Sequence, residues 1–339
     1  MKKKVTIKDV SKEVGLSPST VSLVMNGKGN SIPLETREKI IACAQRLNYH
    51  PDLIAQSLAS QKTHTIGLLI PDITNNFFTE YVHSVQLKLN SYGYDIFLCN
   101  SEEKIENDLK YINLLKNRRV DGLVLSMSAE SLQTDKINKT KELLKSLDIP
   151  YIMIDRYIDS NSPYVGIDNE TSGYNIAQYL INNGHRKIGV ITGPMCLSSS
   201  SNRLKGFTKC LRDNNINLPD ENIKYMRYDM ESGYLGAKEL LKNDITAIFT
   251  FNDLQAYGVI SYAKEKGIKI PDDLSVAGFD DLLYSSILDT KLTTVKQPIE
   301  EIANQACDMM MRLINDDEGE KLIRLKTELI IRNSVKEVA

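Results

Sequence analysis

The stretch TIKDVSKEVGLSPSTVSLVMNG, residues 6–27, contains two short amphipathic segments on either side of Gly15. Apolar residues recur at helical spacing in both segments. Gly15 suits the tight turn between them, Ser17 can cap a second helix, and Pro18 suits the first position of that helix. The pattern predicts a helix-turn-helix. The residues expected to close its small core are Val10, Val14, Val21 and Met25.

The outer face of the second helix would carry Pro18, Ser19, Ser22, Leu23 and Asn26. A recognition helix presents such N-terminal residues to base edges in the major groove. Charge supports this interpretation, because residues 1–63 carry a net charge of +5, whereas the remaining residues carry −7 and the whole chain −2. A basic segment attached to an acidic body is typical of a nucleic-acid-binding module. The alternative is a helical hairpin whose Ser/Thr face is merely solvated.

After residue 63 the pattern changes to short apolar runs that alternate with helical stretches. The predicted strands are Ile66–Ile70, Tyr94–Cys99, Gly122–Leu125, Tyr151–Ile154, Lys187–Ile191, Ala247–Phe251, Ser275–Phe279 and a last strand at Leu325–Arg332. The predicted helices include Phe77–Asn90, Asp108–Lys116, Thr171–Asn182 and Leu254–Lys266. This βαβα alternation predicts a doubly wound parallel α/β body, and its length favours two lobes.

The predicted fold class is therefore an N-terminal all-α helix-turn-helix headpiece followed by a two-lobed, doubly wound α/β body. Residues 1–50 would form the headpiece, residues 51–63 a short helical segment and linker, and residues 64–339 the body. We expect lobe one to span about 64–160 and 293–322, and lobe two about 161–292 and 323–339. A third headpiece helix is expected from Thr36 to Leu47. Its apolar face would consist of Ile40, Ile41, Ala44 and Leu47.

Motifs for catalysis, cofactor binding and metal binding are missing from the sequence. The run Gly27-Lys28-Gly29 begins like a dinucleotide loop, but it lacks the third glycine and follows a helix. The four histidines are isolated and have no metal-ligand spacing, and the five cysteines form no CxxC pair. No apolar run approaches the ~20 residues of a membrane span. We therefore expect no catalytic residue, cofactor, metal or membrane association, and a cytoplasmic location.

Further motifs extend along essentially the whole chain. They are Thr36-Arg37, Leu47-Asn48-Tyr49-His50-Pro51, Ala55-Gln56-Ser57-Leu58, Gly67-Leu68-Leu69-Ile70-Pro71-Asp72, Val120-Asp121-Gly122, Gly184-His185-Arg186-Lys187-Ile188, Asn252-Asp253, Gly278-Phe279-Asp280-Asp281 and Leu292-Thr293-Thr294-Val295-Lys296-Gln297-Pro298. Together with residues 5–27, they resemble the LacI/GalR family of bacterial transcription repressors. The resemblance implies a periplasmic-binding-protein-like body, a homodimer, and a small-molecule effector. Because a dimer is two-fold symmetric, its operator DNA would be an inverted repeat.

The resemblance also assigns residues to DNA contact. Pro18, Ser19 and Leu23 occupy base-reading positions, and residues 51–58 match a hinge helix whose Leu58 wedges into the minor groove. Leu23 stands where Arg or His is common, and Gln56 replaces the usual hinge Arg, so we expect specificity to depend more on Ser19, Pro18 and DNA shape. The full predicted set is Thr6, Ser17, Pro18, Ser19, Thr20, Ser22, Leu23, Asn26, Tyr49, Ala55, Gln56 and Leu58.

Polar and aromatic residues directly after the predicted strands mark a second candidate site, because ligands of open α/β folds lie beyond the carboxyl ends of the strands. They are Asp72, Asn75, Phe77, Phe78, Asp155, Arg156, Arg203, Asn252, Asp253, Asp280 and Gln297. Carboxylates, amides and arginines between flat aromatic rings are the chemistry of a sugar site. The set resembles that of pentose-binding periplasmic proteins, although Asn76 stands where proline is usual. Asp253 has the alternative role of an N-terminal helix residue.

These observations predict a dimeric, sequence-specific DNA-binding repressor that is controlled by a small effector, with a pentose-like sugar favoured. The other interpretation is a sugar-binding transport receptor. The lack of a secretory signal and the presence of residues 51–58 argue against a receptor.

Overall fold

The structure is a computed structural model that describes residues 5–49, 62–159 and 161–338. The chain divides into two compact units, with the division between Thr63 and His64. Among the described residues, no helix combines the length and the apolar character that a membrane crossing requires.

The N-terminal unit contains helices α1 (Ile7–Val14), α2 (Pro18–Met25) and α3 (Leu34–Arg46). At the start of α1, the N–H and Oγ1 of Thr6 lie 2.8 and 2.7 Å from Oδ2 of Asp9. Gly15 ends α1 with a φ of 72°, a left-handed conformation that costs glycine little. Ser17 caps α2, because its Oγ accepts a hydrogen bond from the N–H of Thr20 at 3.1 Å.

The three helices enclose a small core that consists of Val10, Val14, Val21, Val24, Ile40, Cys43 and Ala44. Two core predictions were wrong. Met25 is only partly buried, and Val24, one turn from Val21, lies inside instead. Ile41 is 43% exposed. Ile41 lies about 100° around the helix from Ile40 and about 160° from Cys43, so it falls outside the face that Ile40, Cys43 and Ala44 form.

The first lobe of the second unit is built on a six-stranded parallel sheet with its helices. In spatial order the strands are β11 (Leu322–Leu325), β5 (Tyr164–Ile167), β4 (Tyr151–Ile154), β3 (Gly122–Leu125), β1 (Thr65–Ile70) and β2 (Asp95–Asn100). The helices are α4 (Asn76–Ser91), α5 (Ile105–Asn117), α6 (Ile137–Lys145) and α11 (Ile299–Ile314), with a 3-10 turn at Glu130–Leu132. Strands β1 and β3 are almost wholly buried, as expected for a sheet that is covered by helices.

The second lobe is built on a four-stranded parallel sheet. In spatial order its strands are β7 (Ile223–Tyr225), β6 (Ile188–Thr192), β8 (Ala247–Thr250) and β9 (Ser275–Ala277). The helices are α7 (Asn169–Asn182), α8 (Ser198–Asp213), α9 (Met230–Leu240) and α10 (Asp253–Lys266), with 3-10 turns at Asp220–Asn222 and Leu283–Ser286. Strands β10 (Thr294–Lys296) and β12 (Glu328–Ile330) form an antiparallel pair.

The chain passes between the lobes three times, after β5, after β10 and after β11. Strand β5 pairs with β4 and β11 in the first sheet, although the sequence boundaries near 160 and 322 assign β5 and most of β11 to the second lobe. The single strand expected at Leu325–Arg332 is also wrong: β11 and β12 belong to different sheets. Apolar periodicity marks a strand but carries no information on which strand it will pair with, and strands of three or four residues give a weak signal.

Candidate functional site

The predicted recognition residues that the structure describes in the N-terminal unit are all exposed or half-buried. Thr6, Ser17, Pro18, Ser19, Leu23 and Asn26 are exposed, whereas Thr20, Ser22 and Tyr49 are half-buried. The Oγ of Ser17 lies 2.7 Å from the Oγ of Ser19 and 2.8 Å from Oγ1 of Thr20, so one cap organises the first turn of α2. Leu23 is 44% exposed, an apolar side chain presented to solvent. Ala55, Gln56 and Leu58 lie outside the described residues.

The second candidate site is a cavity of about 30 Å³ between the two lobes of the second unit. Nine of the eleven predicted effector residues line it: Asn75, Phe77, Phe78, Asp155, Arg156, Arg203, Asn252, Asp280 and Gln297. They come from six separate loops or helix starts at the carboxyl ends of strands. The parallel topology brings them together, because the carboxyl ends of parallel strands share one edge of a sheet.

The start of α4 contributes an amide and two aromatic rings to the cavity. Asn75 caps the helix, with Oδ1 accepting a hydrogen bond from the N–H of Phe77 at 3.1 Å. Phe77 and Phe78 are buried in the first turn, their ring centroids 5.1 Å apart in an edge-to-face arrangement. Asn76, which stands where proline is usual, is the first residue of α4. A first helical position tolerates either residue, since its N–H has no intrahelical partner.

Asp155 and Arg156 enter the cavity from a tight turn after β4. Asp155 has a φ of 58°, a left-handed conformation that side-chain-bearing residues adopt rarely. The Arg156 side chain is 3% exposed, and Nε lies 3.4 Å from Oδ2 of Asp155. Burial raises the pKa of Asp155, and the charges of Arg156 and Arg203 offset this only in part. The Arg156 guanidinium also lies over the ring of Phe78, 5.6 Å from its centroid.

Arg203 reaches the cavity from α8 in the second lobe. Its Nε and Nη2 donate to Oδ1 of Asn169 at 3.2 and 2.8 Å, and Nη1 donates to the carbonyl of Phe251. The guanidinium stacks on the ring of Phe279, 3.3 Å from the centroid. A fully buried arginine needs such partners, because an unpaired charge in the interior is costly.

Asp280 and Gln297 complete the cavity where the chain leaves β9 and β10. The Nε2 of Gln297 donates to Oδ1 of Asp280 at 2.7 Å. Burial raises the pKa of Asp280 well above its usual value, and the nearby charge of Arg203 lowers it again in part. Asn252 caps α10 through Oδ1, which accepts from the N–H of Gln255 at 2.9 Å, and its Nδ2 donates to the carbonyl of Tyr228 at 3.3 Å.

Two predicted effector residues do not line the cavity. Oδ1 of Asp72 accepts from the N–H and Oγ1 of Thr74 at 2.9 and 2.7 Å, so Asp72 closes a local turn. The buried carboxylate of Asp253 accepts three hydrogen bonds inside the second lobe. The donors are the N–H of Leu282, the Oγ of Ser285 and Oγ1 of Thr294, at 2.8, 2.6 and 2.6 Å. The structure thus places both carboxylates in contacts with the protein itself and outside the cavity lining.

Sequence reasoning missed three residues of the cavity, namely Ser199, Tyr228 and Phe251. The buried Oγ of Ser199 has no hydrogen-bond partner among the described residues, so it is available to a ligand. The hydroxyl of Tyr228 lies 2.7 Å from the Oγ of Ser200, and burial raises the pKa of Tyr228. Phe251 directly follows β8, so its position at the end of a strand was the signal that could have identified it. Tyr228 follows β7, a strand too short to be predicted.

The cavity thus combines two guanidinium groups, two carboxyl groups, three amides and several aromatic rings in a buried space. The guanidinium and amide N–H groups donate hydrogen bonds and the carboxyl and amide oxygens accept them, so the lining suits a small molecule with several hydroxyls.

Comparison with known proteins shows the family of the chain. Residues 6–52 match the family described as "Bacterial regulatory proteins, lacI family", and residues 63–333 match "Periplasmic binding proteins and sugar binding domain of LacI family". The two matches together span nearly the whole chain. The chain belongs to the LacI family. The resemblance that the sequence motifs predicted is confirmed, as is the fold class of a helix-turn-helix headpiece with a two-lobed α/β body.

Relatives within the LacI family give the general function. The HTH-type transcriptional repressor PurR of Vibrio vulnificus is 33% identical over 338 residues, covering 98% of this chain and 99% of the relative. A structure described as the lac repressor dimer bound to operator and the anti-inducer ONPF superposes with a TM-score of 0.86 at 25% identity, covering 98% of this chain and 100% of that one. The protein is thus a DNA-binding transcriptional repressor with an effector-binding body, in a family of regulators rather than enzymes.

A third comparison concerns the second unit. The structure of a LacI family transcriptional regulator from Enterococcus faecium with bound ribose has a TM-score of 0.71 at 28% identity. It covers 81% of this chain and 100% of that chain.

Proposed function

We propose that this repressor responds to a pentose, which binds between the two lobes of the second unit. The observation that carries the proposal is the convergence of Arg156, Arg203, Asp155 and Asp280 on one buried cavity. Carboxyl oxygens can accept hydrogen bonds from adjacent hydroxyls of a sugar ring, and guanidinium groups can donate charge-assisted hydrogen bonds to its oxygens. The ribose bound to the Enterococcus faecium regulator supports a ligand of this class.

A purine base is the second candidate effector, because aromatic side chains and amides can also bind a planar heterocycle. The arrangement of the rings favours the pentose. Phe77 and Phe78 meet edge to face and do not form parallel walls, and the guanidinium of Arg203 covers a face of Phe279. A base that stacked on Phe279 would displace Arg203 from its contacts with Asn169 and Phe251.

We further propose that the protein binds an inverted-repeat operator as a dimer. Two copies related by a two-fold axis present two recognition helices in opposite directions, so the site that they recognise has the same symmetry. The lac repressor, which was solved as a dimer on its operator, supports this arrangement. The cavity of about 30 Å³ is too small for a pentose, so the lobes must open to admit the effector. The resulting change of lobe angle in each copy would couple to DNA binding, typically by about 1–3 kcal/mol.

A thermal-shift screen of the full-length protein tests the effector class. The panel contains ribose, other pentoses, hexoses, adenine, guanine and hypoxanthine. We expect a pentose to give the largest rise in Tm, because a ligand that binds only the folded state stabilises it by mass action. The best ligand is then added to a gel-shift assay on DNA selected from a random duplex library. A response to purine bases alone would refute the pentose, and selected sites without inverted symmetry would refute the proposed operator.

A further inference from the structure

The guanidinium of Arg156 is held by groups that do not line the cavity. Its Nη2 donates to Oε1 of Glu103 at 2.9 Å, and its Nη1 donates to Oε2 of Glu103 at 3.0 Å and to the carbonyl of Met127 at 2.8 Å. This paired arrangement fixes the plane of the guanidinium as well as its position. The buried Nε makes no hydrogen bond among the described residues and lies 3.4 Å from Oδ2 of Asp155. Glu103 and Met127 therefore hold the terminal nitrogens, and the Nε side of the guanidinium faces the cavity-lining Asp155.

Glu103 is itself held firmly in the loop after β2. Its N–H donates to the carbonyl of Pro71 at 2.9 Å, directly after β1, and Oε2 also accepts from the N–H of Ala129 at 2.6 Å. Glu102 and Glu103 have φ values of 55° and 57°, so two successive side-chain-bearing residues adopt the left-handed conformation. Such strain persists only where surrounding contacts impose it, and it occurs preferentially at functional sites.

Glu103 is a closer counter-charge for Arg156 than Asp155 is, with contacts of 2.9 and 3.4 Å. Burial raises the pKa of Glu103, but the charge of Arg156 and the hydrogen bonds from it outweigh burial, so the net pKa is lowered and the carboxylate is ionised at neutral pH. Without this partner, the buried guanidinium would be left with Asp155 as its only close counter-charge among the described residues. Arg156 would then pair more closely with Asp155, and both side chains would change their positions in the cavity wall.

We propose that Glu103 is a positioning residue for effector binding, which fixes the plane of the Arg156 guanidinium in the cavity wall. The inference rests on the proposed function, because it takes this cavity as the effector site. Glu103 does not touch the cavity and is 27% exposed at its outer side. Its effect on the effector must therefore pass through Arg156.

Titration calorimetry of the full-length protein with ribose tests this role. Glu103→Gln keeps the size of the side chain but cannot accept both guanidinium bonds, and we expect it to weaken ribose binding at least ten-fold. The matched control is Glu102→Gln, which has the same backbone conformation but a 62% exposed side chain paired with Lys104, and its affinity should stay within two-fold of wild type. Wild-type affinity in Glu103→Gln would overturn the proposal.

A double variant separates positioning from general damage to the fold. If Glu103 acts through Arg156, then Glu103→Gln combined with Arg156→Ala should bind ribose no more weakly than Arg156→Ala alone. Losses that multiply in the double variant would show that Glu103 acts on its own, and would overturn the inference. Thermal unfolding of each variant verifies that it is folded.

A measurement on the free protein distinguishes a failure of the Glu103 proposal from a failure of the pentose proposal. In ¹⁵N–¹H spectra of the free protein, the Nε–H of Arg156 should give one slowly exchanging signal in wild type and Glu102→Gln, and a broadened or averaged signal in Glu103→Gln. An unchanged signal in Glu103→Gln would overturn the positioning role. If hypoxanthine binds and ribose does not, the pentose is refuted, and the same variants titrated with hypoxanthine decide the role of Glu103.

Discussion

Arg203 and Asn169 share a forked contact in which two guanidinium nitrogens donate to a single amide oxygen, at 3.2 and 2.8 Å. Asn169 is the first residue of α7, and Arg203 lies on α8, so the contact joins two helices of the second lobe behind the cavity. The geometry leaves the face of Arg203 on Phe279 and its edge in the cavity. The orientation of Arg203 is therefore fixed by its contacts with Asn169 and Phe279 in the second lobe.

Arg203→Ala or Asp280→Ala should lower effector affinity at least ten-fold. Each residue offers charge-assisted hydrogen bonds to a buried ligand, worth roughly 1.5–3 kcal/mol each, and 1.4 kcal/mol corresponds to a factor of ten. Titration calorimetry measures the change. Operator affinity without effector should hardly move, since neither residue belongs to the N-terminal unit. A variant that keeps the full response to effector would place the binding site elsewhere.

Asn169→Ala should weaken effector binding about five-fold without removing any cavity-lining group. The change takes away the acceptor of two guanidinium bonds, so Arg203 loses its fixed orientation, at a cost of about 1 kcal/mol. The control is Asn182→Ala at the other end of α7, where the exposed amide accepts a hydrogen bond from Gln178. Equal affinities of the two variants in the same titration would contradict the role given to Asn169.

Leu58→Ala should weaken operator binding at least ten-fold and leave binding to random DNA nearly unchanged. The prediction follows from the family resemblance, in which this leucine enters the minor groove, and the substitution does not alter the charge that governs non-specific binding. Gel shifts on selected and random duplexes measure the ratio. Ser19→Ala is the companion variant and should change base preference within each half-site. An equal loss of affinity for the selected and the random duplexes would contradict the insertion of Leu58 into the minor groove.

A fragment of residues 64–339 should fold, bind the effector and fail to bind operator DNA. The second unit has its own hydrophobic clusters, separate from that of the headpiece. Its net charge of −7 would also repel DNA. Calorimetry and gel shifts on the purified fragment provide the two measurements. Insolubility would contradict the boundary at residue 63, and a shift of operator DNA would contradict the assignment of DNA binding to the headpiece.

Asp253→Asn should remove a pH-dependent loss of stability. Burial raises the pKa of Asp253 from 3.8 to about 6, in spite of its hydrogen bonds from Ser285 and Thr294. A folded-state pKa above the unfolded value contributes stability at low pH, and this contribution is lost as the pH rises through about 6. Wild type should therefore lose up to about 3 kcal/mol relative to Asp253→Asn between about pH 4 and pH 7, since one pKa unit equals about 1.36 kcal/mol.

Urea unfolding of both proteins at several pH values in that range measures the difference. The asparagine oxygen can still accept from the N–H of Leu282, so the variant should remain folded. A stability difference that stays constant across the range would show that Asp253 is ionised throughout, and would contradict the raised pKa.

Local signals were sufficient to predict the headpiece and most of the cavity. The Gly15 turn, the Ser17 cap and Pro18 act within a few residues of one another, so their meaning could be interpreted without the rest of the chain. The search for polar residues after predicted strands also found Asn75 and Arg203, which line the cavity. It succeeded because parallel topology brings the carboxyl ends of strands to one edge.

The partners of Asp253 and Glu103 could not be predicted from the sequence. Asp253 follows Asn252 directly, but only the fold reveals that its carboxylate turns to Leu282, Ser285 and Thr294 inside the lobe. Glu103 carries no motif, and its contact with Arg156 bridges 53 positions of the chain.

The family, the helix-turn-helix and the set of strand-end residues could be predicted from the chain alone, because periodicity, capping and turn chemistry are local properties. Only the folded structure shows that β5 and β11 join the first sheet, and that Glu103 and Asn169 contact the two cavity arginines. Strand pairing and buried ion pairs depend on which distant segments come into contact. Their energies arise only once burial has removed the competing water.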